Sequence, residues 1–256
     1  MANLTRILFI SGEVAPFAGD SDIAGIVRKL PEKLQETNGY EMRIMMPRYG
    51  SISERRNRLH EVIRLSGAEV TMGSEKETLR VKVASIPGIR LQVYFMDNNK
   101  YFKRKGVYHD KQGKFFDDNP QRALFFAHAT LETIRNLGWS PDIVHTFGSM
   151  SALVPVLLRT SYAGDPLFQN AKIIFTPREF PAEPKITWLP NNLKIDSVDL
   201  TGRQLSDVAL EYADAVIYPP SSDGNNNGEL RLYDDTDEMV KQIVQLYDQV
   251  LSGVLA

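Results

Sequence analysis

Few side chains in this sequence are spaced to do chemistry with their near neighbours. The four histidines, His60, His109, His128 and His145, stand far apart. None forms the i, i+4 pair that sets two imidazoles on one helix face for zinc. Cysteine is absent, which removes disulfides, thiolate nucleophiles and Cys-ligated metal sites together. No metal or other cofactor is therefore expected. The glycine loops G-x-G-x-x-G and G-x-x-x-x-G-K-[ST] that cradle phosphates do not occur, nor does a G-x-S-x-G elbow. Gly19-Asp20-Ser21 presents a serine that could serve as a nucleophile, but a serine needs a general base within hydrogen-bond reach. No histidine follows His145, so the plainer reading is a polar loop that ends in a helix cap.

Two basic clusters remain. Asn99–Lys114 interleaves Lys100, Lys103, Arg104, Lys105, Lys111 and Lys114 with Tyr101, Phe102 and Tyr108. Charge with stacking surface can hold single-stranded nucleic acid, and aromatic faces also stack on sugar rings. The simpler expectation is a solvated basic loop whose aromatics tuck into the body. Arg48, Arg55-Arg56 and Arg58 form the second cluster, read as a solvated surface. Lys+Arg 30 against Asp+Glu 32 gives a net charge of −2. Whole-chain charge makes no case for a nucleic-acid partner.

The elements that must position these residues read as α/β. The 256 residues are 43% hydrophobic and 24% charged, an ordinary globular balance. No apolar stretch approaches the roughly 20 residues of a membrane span. The apolar run Ile7–Ile10 is too short for a signal peptide, and a cytoplasmic protein without membrane association is expected. Arg6–Ser11 reads as a strand buried on both faces. Asp22 can cap a helix carrying Ile23, Ile26, Val27, Leu30 and Leu34, stopped by Asn38-Gly39. Tyr40–Met46 returns as a strand, which completes a βαβ unit.

From Leu59 to Asn98, alternating residues with turn signals suggest hairpin strands added to the sheet. Asn119-Pro120 starts a helix that Gly138 stops. Further elements follow: strand Asp142–Thr146, helix Ser149–Leu158, strand Lys172–Thr176, helix Gln204–Ala213 and strand Ala215–Tyr218. Pro219–Gly228 reads as a flexible linker. A last amphipathic helix begins at Asp235, with Glu238 in capping-box spacing. The expected domains are residues 1–218, a linker at 219–228 and a helix within 229–256 that docks on the same domain.

Several stretches together resemble bacterial glycogen synthases and plant starch synthases. Ile7-Leu8-Phe9-Ile10-Ser11-Gly12-Glu13-Val14-Ala15-Pro16-Phe17-Ala18 is similar to their opening. Leu30-Pro31 and Met46-Pro47-Arg48-Tyr49-Gly50 fit their first helix and second strand. Tyr101-Phe102, Gly106, Tyr108, Asp110, Gly113, Asp118-Asn119, Arg122 and Phe125 follow their middle section. Gly138-Trp139, Pro141-Asp142-Ile143-Val144-His145 and Ala152-Leu153-Val154-Pro155 follow the next strand and helix. The resemblance runs from about Arg6 to Tyr218.

That resemblance implies a single Rossmann-like domain. Its mainly parallel sheet would carry added antiparallel strands and helices on both faces, like the first lobe of a two-lobed GT-B glycosyltransferase. The family moves glucose from ADP-glucose to an α-1,4-glucan. It implies ligand contacts at Glu13, Gly19, Asp20, Ser21, Asp22, His145, Thr146 and Phe147, with Ser149, Arg178 and Glu179 at further strand ends. The sequence departs from the family at three of these places. Gly19-Asp20-Ser21-Asp22-Ile23 stands where Lys-Thr-Gly-Gly-Leu belongs, so a cation gives way to two carboxylates, which would repel a diphosphate. His145-Thr146-Phe147-Gly148-Ser149 replaces His-x-His-Asp-Trp, and Pro177-Arg178-Glu179 replaces Ile-His-Asn.

The expectation is a free-standing first lobe with no catalytic residue of its own. A glucan or ADP-glucose is the expected ligand, and a second-lobe chain or another copy the expected partner. Two other functions fit the same residues. One is a non-catalytic glucan-binding or regulatory relative. The other is a lone nucleotide-binding Rossmann module, since open α/β sheets bind ligands at their strand ends.

Overall fold

The branched run after Leu4 forms β1 (Thr5–Ser11), with its last five residues buried. The computed structural model describes residues 4–19, 21–178, 180, 183, 185–186, 198–222 and 229–254. Helix α1 (Asp22–Glu36) follows, capped by the Ser21 hydroxyl on the Ala24 N–H. The cap is thus Ser21 and not Asp22. Asp22 instead sits in the first turn, where a carboxylate complements the helix dipole. Then come β2 (Tyr40–Pro47), α2 (Glu54–Asn57) and β3 (His60–Glu61). After these come β4 (Glu69–Met72), β5 (Glu75–Thr78), β6 (Arg80–Ser85), β7 (Gln92–Asp97) and α3 (Asn99–Phe102). The second half holds α4 (Asn119–Leu137), β8 (Ile143–Phe147), α5 (Leu153–Arg159), β9 (Lys172–Thr176), α6 (Leu205–Tyr212), β10 (Ala215–Val216) and α7 (Thr236–Ser252).

The main sheet runs β10-β9-β8-β1-β2-β7-β6-β3. Pairs from β10 to β7 are parallel, and the β7-β6 and β6-β3 pairs are antiparallel. The expected hairpin strands stand in the main sheet, where β3 and β7 both pair antiparallel with β6. The β6–β7 hairpin joins the rest of the sheet through β7, which runs parallel to β2. Ile63–Leu65 coils as a 3-10 turn that buries Leu65, and β4 and β5 stand apart as a ribbon of their own. The helix expected from Ser149 begins as a 3-10 turn, Ser149–Ser151, before α5. The expected linker lies outside the described residues from position 223 to 228.

Right-handed crossovers fix the layers. The chain leaves β1 toward β2, then returns from β7 to β8 in the opposite direction. That reversal puts α1 on one face of the sheet and α4, α5 and α6 side by side on the other, while α7 packs beside α1. Asp235 caps α7 by accepting from the N–H groups of Asp237 and Glu238, and Gly253 ends it with φ 72°. Met239, Ile243, Leu246, Tyr247 and Val250 turn inward. Among the described residues no helix is long and apolar enough to cross a membrane. Tyr101, Phe102 and Tyr108 are all buried, so the aromatics of the first basic cluster belong to the core and leave no exposed stacking ladder there.

His145 lies at the centre of these layers with no exposed surface. Its Nδ1 hydrogen-bonds the Tyr247 hydroxyl and its Nε2 the Thr176 hydroxyl, each at 2.9 Å. Burial pushes its pKa down from 6.5 to about 3. The neutral ring is the folded form, so its contribution is complete above pH 6.5 and is lost as the pH falls toward 3. Each pH unit in that window costs about 1.4 kcal/mol. Urea unfolding at pH 7 and pH 5 is expected to show about 2 kcal/mol more loss in the native chain than in His145→Gln. Equal losses in the two proteins would show that the ring titrates normally in the folded state.

Candidate functional site

The reversal of chain direction makes a crevice at the carboxyl ends of β1 and β8, the place where open α/β sheets bind ligands. Glu13 stands just beyond β1. The Ser11 hydroxyl donates to the Glu13 carbonyl at 2.6 Å and accepts from its N–H at 3.0 Å, which turns the chain sharply. The Ala15–Pro16 peptide is cis. Paired hydrogen bonds between Val14 and Ala18, at 3.0 and 3.1 Å, close the loop.

The Glu13 carboxylate is buried and forms an ion pair with Arg178, which lies two residues past β9. The Arg178 guanidinium carbon sits 4.6 Å from the Phe180 ring centre and 5.4 Å from that of Tyr108. A cation over aromatic faces gains electrostatic attraction beyond its ion pair. The Tyr108 hydroxyl accepts from the Met150 N–H at 3.4 Å, so it joins this group to the 3-10 turn after β8. Gly12 explains the close approach: a Cβ there would lie 2.6 Å from Met150 Cβ and 3.0 Å from the Tyr108 hydroxyl.

Gly19 backs onto the same carboxylate. Its φ is +87°, and a Cβ there would come within 2.5 Å of Glu13 Oε1. Ser21 is spent as the α1 cap. Asp22 accepts from the Ile23 N–H at 2.8 Å and from the Ser221 hydroxyl. Asp20 and Glu179, both considered as site residues, lie outside the described residues.

The other expected contacts are placed differently. His145, Thr146 and Phe147 are fully buried. Thr146 donates its hydroxyl to the Ile174 carbonyl at 3.2 Å, and Phe147 stacks on His145 at 4.1 Å between ring centres. These three side chains therefore support the crevice from beneath and present no polar atom to a ligand. Ser149 hydrogen-bonds Ser206 at 3.0 Å, and Ser206 donates to Glu183 at 3.2 Å. Burial raises the Glu183 pKa above the usual carboxylate value. Glu183 forms one wall of a cavity of about 440 Å³ with Tyr108, Phe115, Phe116, Met150 and Leu205. The sequence had pointed to neither Glu183 nor Phe180, because nothing marks them except their position after a strand's carboxyl end. Among the described residues no cluster of histidine and carboxylate groups could hold a metal ion.

The cavity combines aromatic walls with the half-buried Glu183 carboxyl and the charged side chains of Lys114, Asp117 and Lys185. Glu13 and Arg178 cancel each other's charge, so the crevice beside it is not arranged for a free anion.

Comparison with known proteins gives this geometry a lineage. The family model described as the starch synthase catalytic domain matches residues 6–218. A glycogen synthase of Chlorobium limicola is 42% identical over 172 residues, which cover 67% of this chain and 35% of that protein. A glycogen synthase of Chlorobaculum tepidum is 36% identical over 220 residues, 82% of this chain and 45% of that one. The chain thus spans less than half the length of these curated relatives. Among solved structures, the catalytic domain of starch synthase IV from Arabidopsis thaliana, bound to ADP and acarbose, matches with a TM-score of 0.67. It is 21% identical and covers 84% of this chain and 45% of its own, which establishes a shared fold. The matched span includes every strand of the sheet and both sides of the crevice, and on that ground the chain belongs to the starch synthase catalytic-domain family.

Proposed function

We propose that this chain binds an α-1,4-glucan and does not by itself transfer glucose to it. One observation carries the reading. At the position of the family's loop lysine stands Gly19, at φ +87° and against the Glu13 side chain. The nearby cation, Arg178, is already engaged by Glu13. Stabilising a departing diphosphate requires donors aimed at the developing charge and free to meet it. Here a cation and a carboxylate neutralise each other before any ligand arrives.

The glucan half of the proposal has separate support. The named relatives are glycogen synthases, and the solved neighbour is bound to acarbose. The cavity beside Tyr108 offers Phe115 and Phe116 as apolar walls and Glu183 as a hydrogen-bonding group, the mixture that small-ligand sites use. Turnover would require a second lobe to supply the remaining half of a two-lobed cleft.

The test is incorporation of label from ADP-glucose into glycogen by the purified chain, beside a two-lobed synthase, together with retention on glycogen. The expected result is retention without incorporation. Incorporation by the chain alone overturns the non-catalytic reading. ADP binding with no glycogen retention favours the nucleotide-module reading instead.

A further inference from the structure

We propose that a groove between α2, β3 and the β6–β7 turn is a binding site for a small organic phosphate. It encloses about 630 Å³, within the range of small-molecule sites. Arg56, Arg58, His60, Arg90 and Gln92 line it, over a floor that includes Phe17, and no carboxylate does. The three arginine side chains have no hydrogen bond or ion pair among the described residues. The proposal does not depend on the glucan reading, since none of these residues lines the cavity beside Tyr108.

The backbone explains why these cations converge. Arg58 takes a left-handed conformation, φ 52°, as it ends α2. That turns the chain directly into β3 and brings Arg56 and His60 to one side. Arg90 comes from the opposite wall, the turn opened by Pro87-Gly88. This turn is tied to α1: Arg28 donates to the Pro87 carbonyl at 3.4 Å and Gln35 to the Arg90 carbonyl at 3.5 Å. Both walls are therefore held by regular elements.

Nearby carboxylates do not neutralise the groove. Glu54 pairs with Arg48 and accepts from Lys82 at 2.6 Å; these hydrogen bonds, Lys82's first, hold its carboxyl down to about 2. Asp97 takes Lys82 at 3.0 Å. Glu61 follows His60 in β3, and successive strand residues point to opposite faces. So Arg48, a member of the same sequence cluster, is drawn into an ion-pair network, while Arg56 and Arg58 remain to face the groove. Like charges gathered in a concavity repel one another, and a bound anion relieves that cost.

The chemistry favours a phosphate ester. Guanidinium groups match phosphate oxygens in forked pairs. The apolar floor at Phe17 suits the organic part, and the concave shape suits a small ligand better than a nucleic-acid strand. Sugar phosphates and nucleotides share this chemistry, and titration separates them.

The full chain is titrated calorimetrically with glucose 1-phosphate, ADP, inorganic phosphate and a single-stranded oligonucleotide, at low and at physiological salt. The expected result is saturable one-to-one binding of one ester, weaker at higher salt. Arg56→Gln, Arg58→Gln and Arg90→Gln each weaken it at least about tenfold, as loss of a charge-assisted pair should. These side chains are exposed, so the variants keep the native melting temperature. Lys114→Gln, in the other cavity, leaves binding unchanged. The site is overturned by no binding of either ester, by inorganic phosphate binding as tightly as the esters, or by binding that the three groove variants do not weaken. Loss of binding in Lys114→Gln, or binding only to the oligonucleotide, overturns it as well.

Discussion

Replacing Arg122 by methionine is expected to lower stability by about 3–5 kcal/mol, because it leaves several buried carbonyls without their donor. Arg122 has no exposed surface. Its Nε donates to the Tyr101 carbonyl at 2.8 Å, and Nη1 donates to the Val107 carbonyl at 2.6 Å and Asn119 Oδ1 at 2.7 Å. The cation thus gathers the carbonyls of the segment between α3 and α4. Methionine fills much of the volume but leaves those acceptors buried without donors, at about 1–3 kcal/mol each. Relief of the guanidinium's own desolvation offsets part of that total. For a chain of this size the melting point should fall by roughly 10 °C. Lysine should not rescue it, because an ammonium cannot fork to carbonyls on two sides. Thermal and urea unfolding of both variants make the check. A midpoint unchanged from the native chain would show that the segment holds itself without Arg122. The effect should reach the crevice too, since Tyr108 closes that segment and its carbonyl accepts from Asn119 at 2.8 Å.

The second large effect concerns Gly19→Lys, which writes the family's residue back into the loop. It is expected to destabilise the chain by about 2–4 kcal/mol and to confer no glucose incorporation. Two causes act together. A side chain at φ +87° is strained, and its Cβ would lie 2.7 Å from Glu13 Cβ as well as close to the carboxylate. Gly19→Ala should cost a similar amount, because both causes begin at Cβ. Adding Glu13→Ala to Gly19→Lys removes the overlap with the carboxylate and Cγ but keeps Glu13 Cβ in place and strips Arg178 of its partner, so recovery should be partial. Urea unfolding reads the stability and labelled ADP-glucose reads the transfer. Incorporation by Gly19→Lys alone would mean that the missing lysine was the sole obstacle, contrary to the proposed function.

The parts of the fold that short-range pattern dictates were legible in the residues. RILFIS and KIIFT are buried on both faces, and a strand buried so completely needs no alternation to be recognised. The stops at Gly138 and Gly253 rest on the left-handed backbone, φ 60° and 72°, that glycine permits. The segment from Leu59 to Asn98 was less legible. Its alternation marks strands but cannot tell that β7 would pair parallel with β2, because that choice belongs to the sheet and not to the segment. Strand-end residues could be picked out in the sequence, but the contacts they make could not. His145 stands in a strand-end motif that resembles the family's, but its depth is set by Tyr247 and Thr176, which stand 102 and 31 residues away. Arg178 could be noticed as a strand-end cation. Its partner Glu13 lies 165 residues earlier, and no local pattern links the two. Arg122 shows the opposite lesson: it belongs to a motif shared with the synthases, yet it is buried in the interior, where it holds the backbone together.

The docking of α7 has a consequence during synthesis. Tyr247 follows His145 by 102 residues, which a ribosome adds in roughly 5–20 s. For that time β1 and β8 exist without the helix that covers the face shared by Phe9, His145 and Phe147. The nascent sheet must wait with those rings uncovered, a surface that chaperones recognise and that neighbouring nascent chains can misuse. Closing so long an intervening segment costs little more entropy than closing a short one. The delay therefore comes from translation itself, and slow codons between β8 and α7 would lengthen the period in which the chain is open to capture.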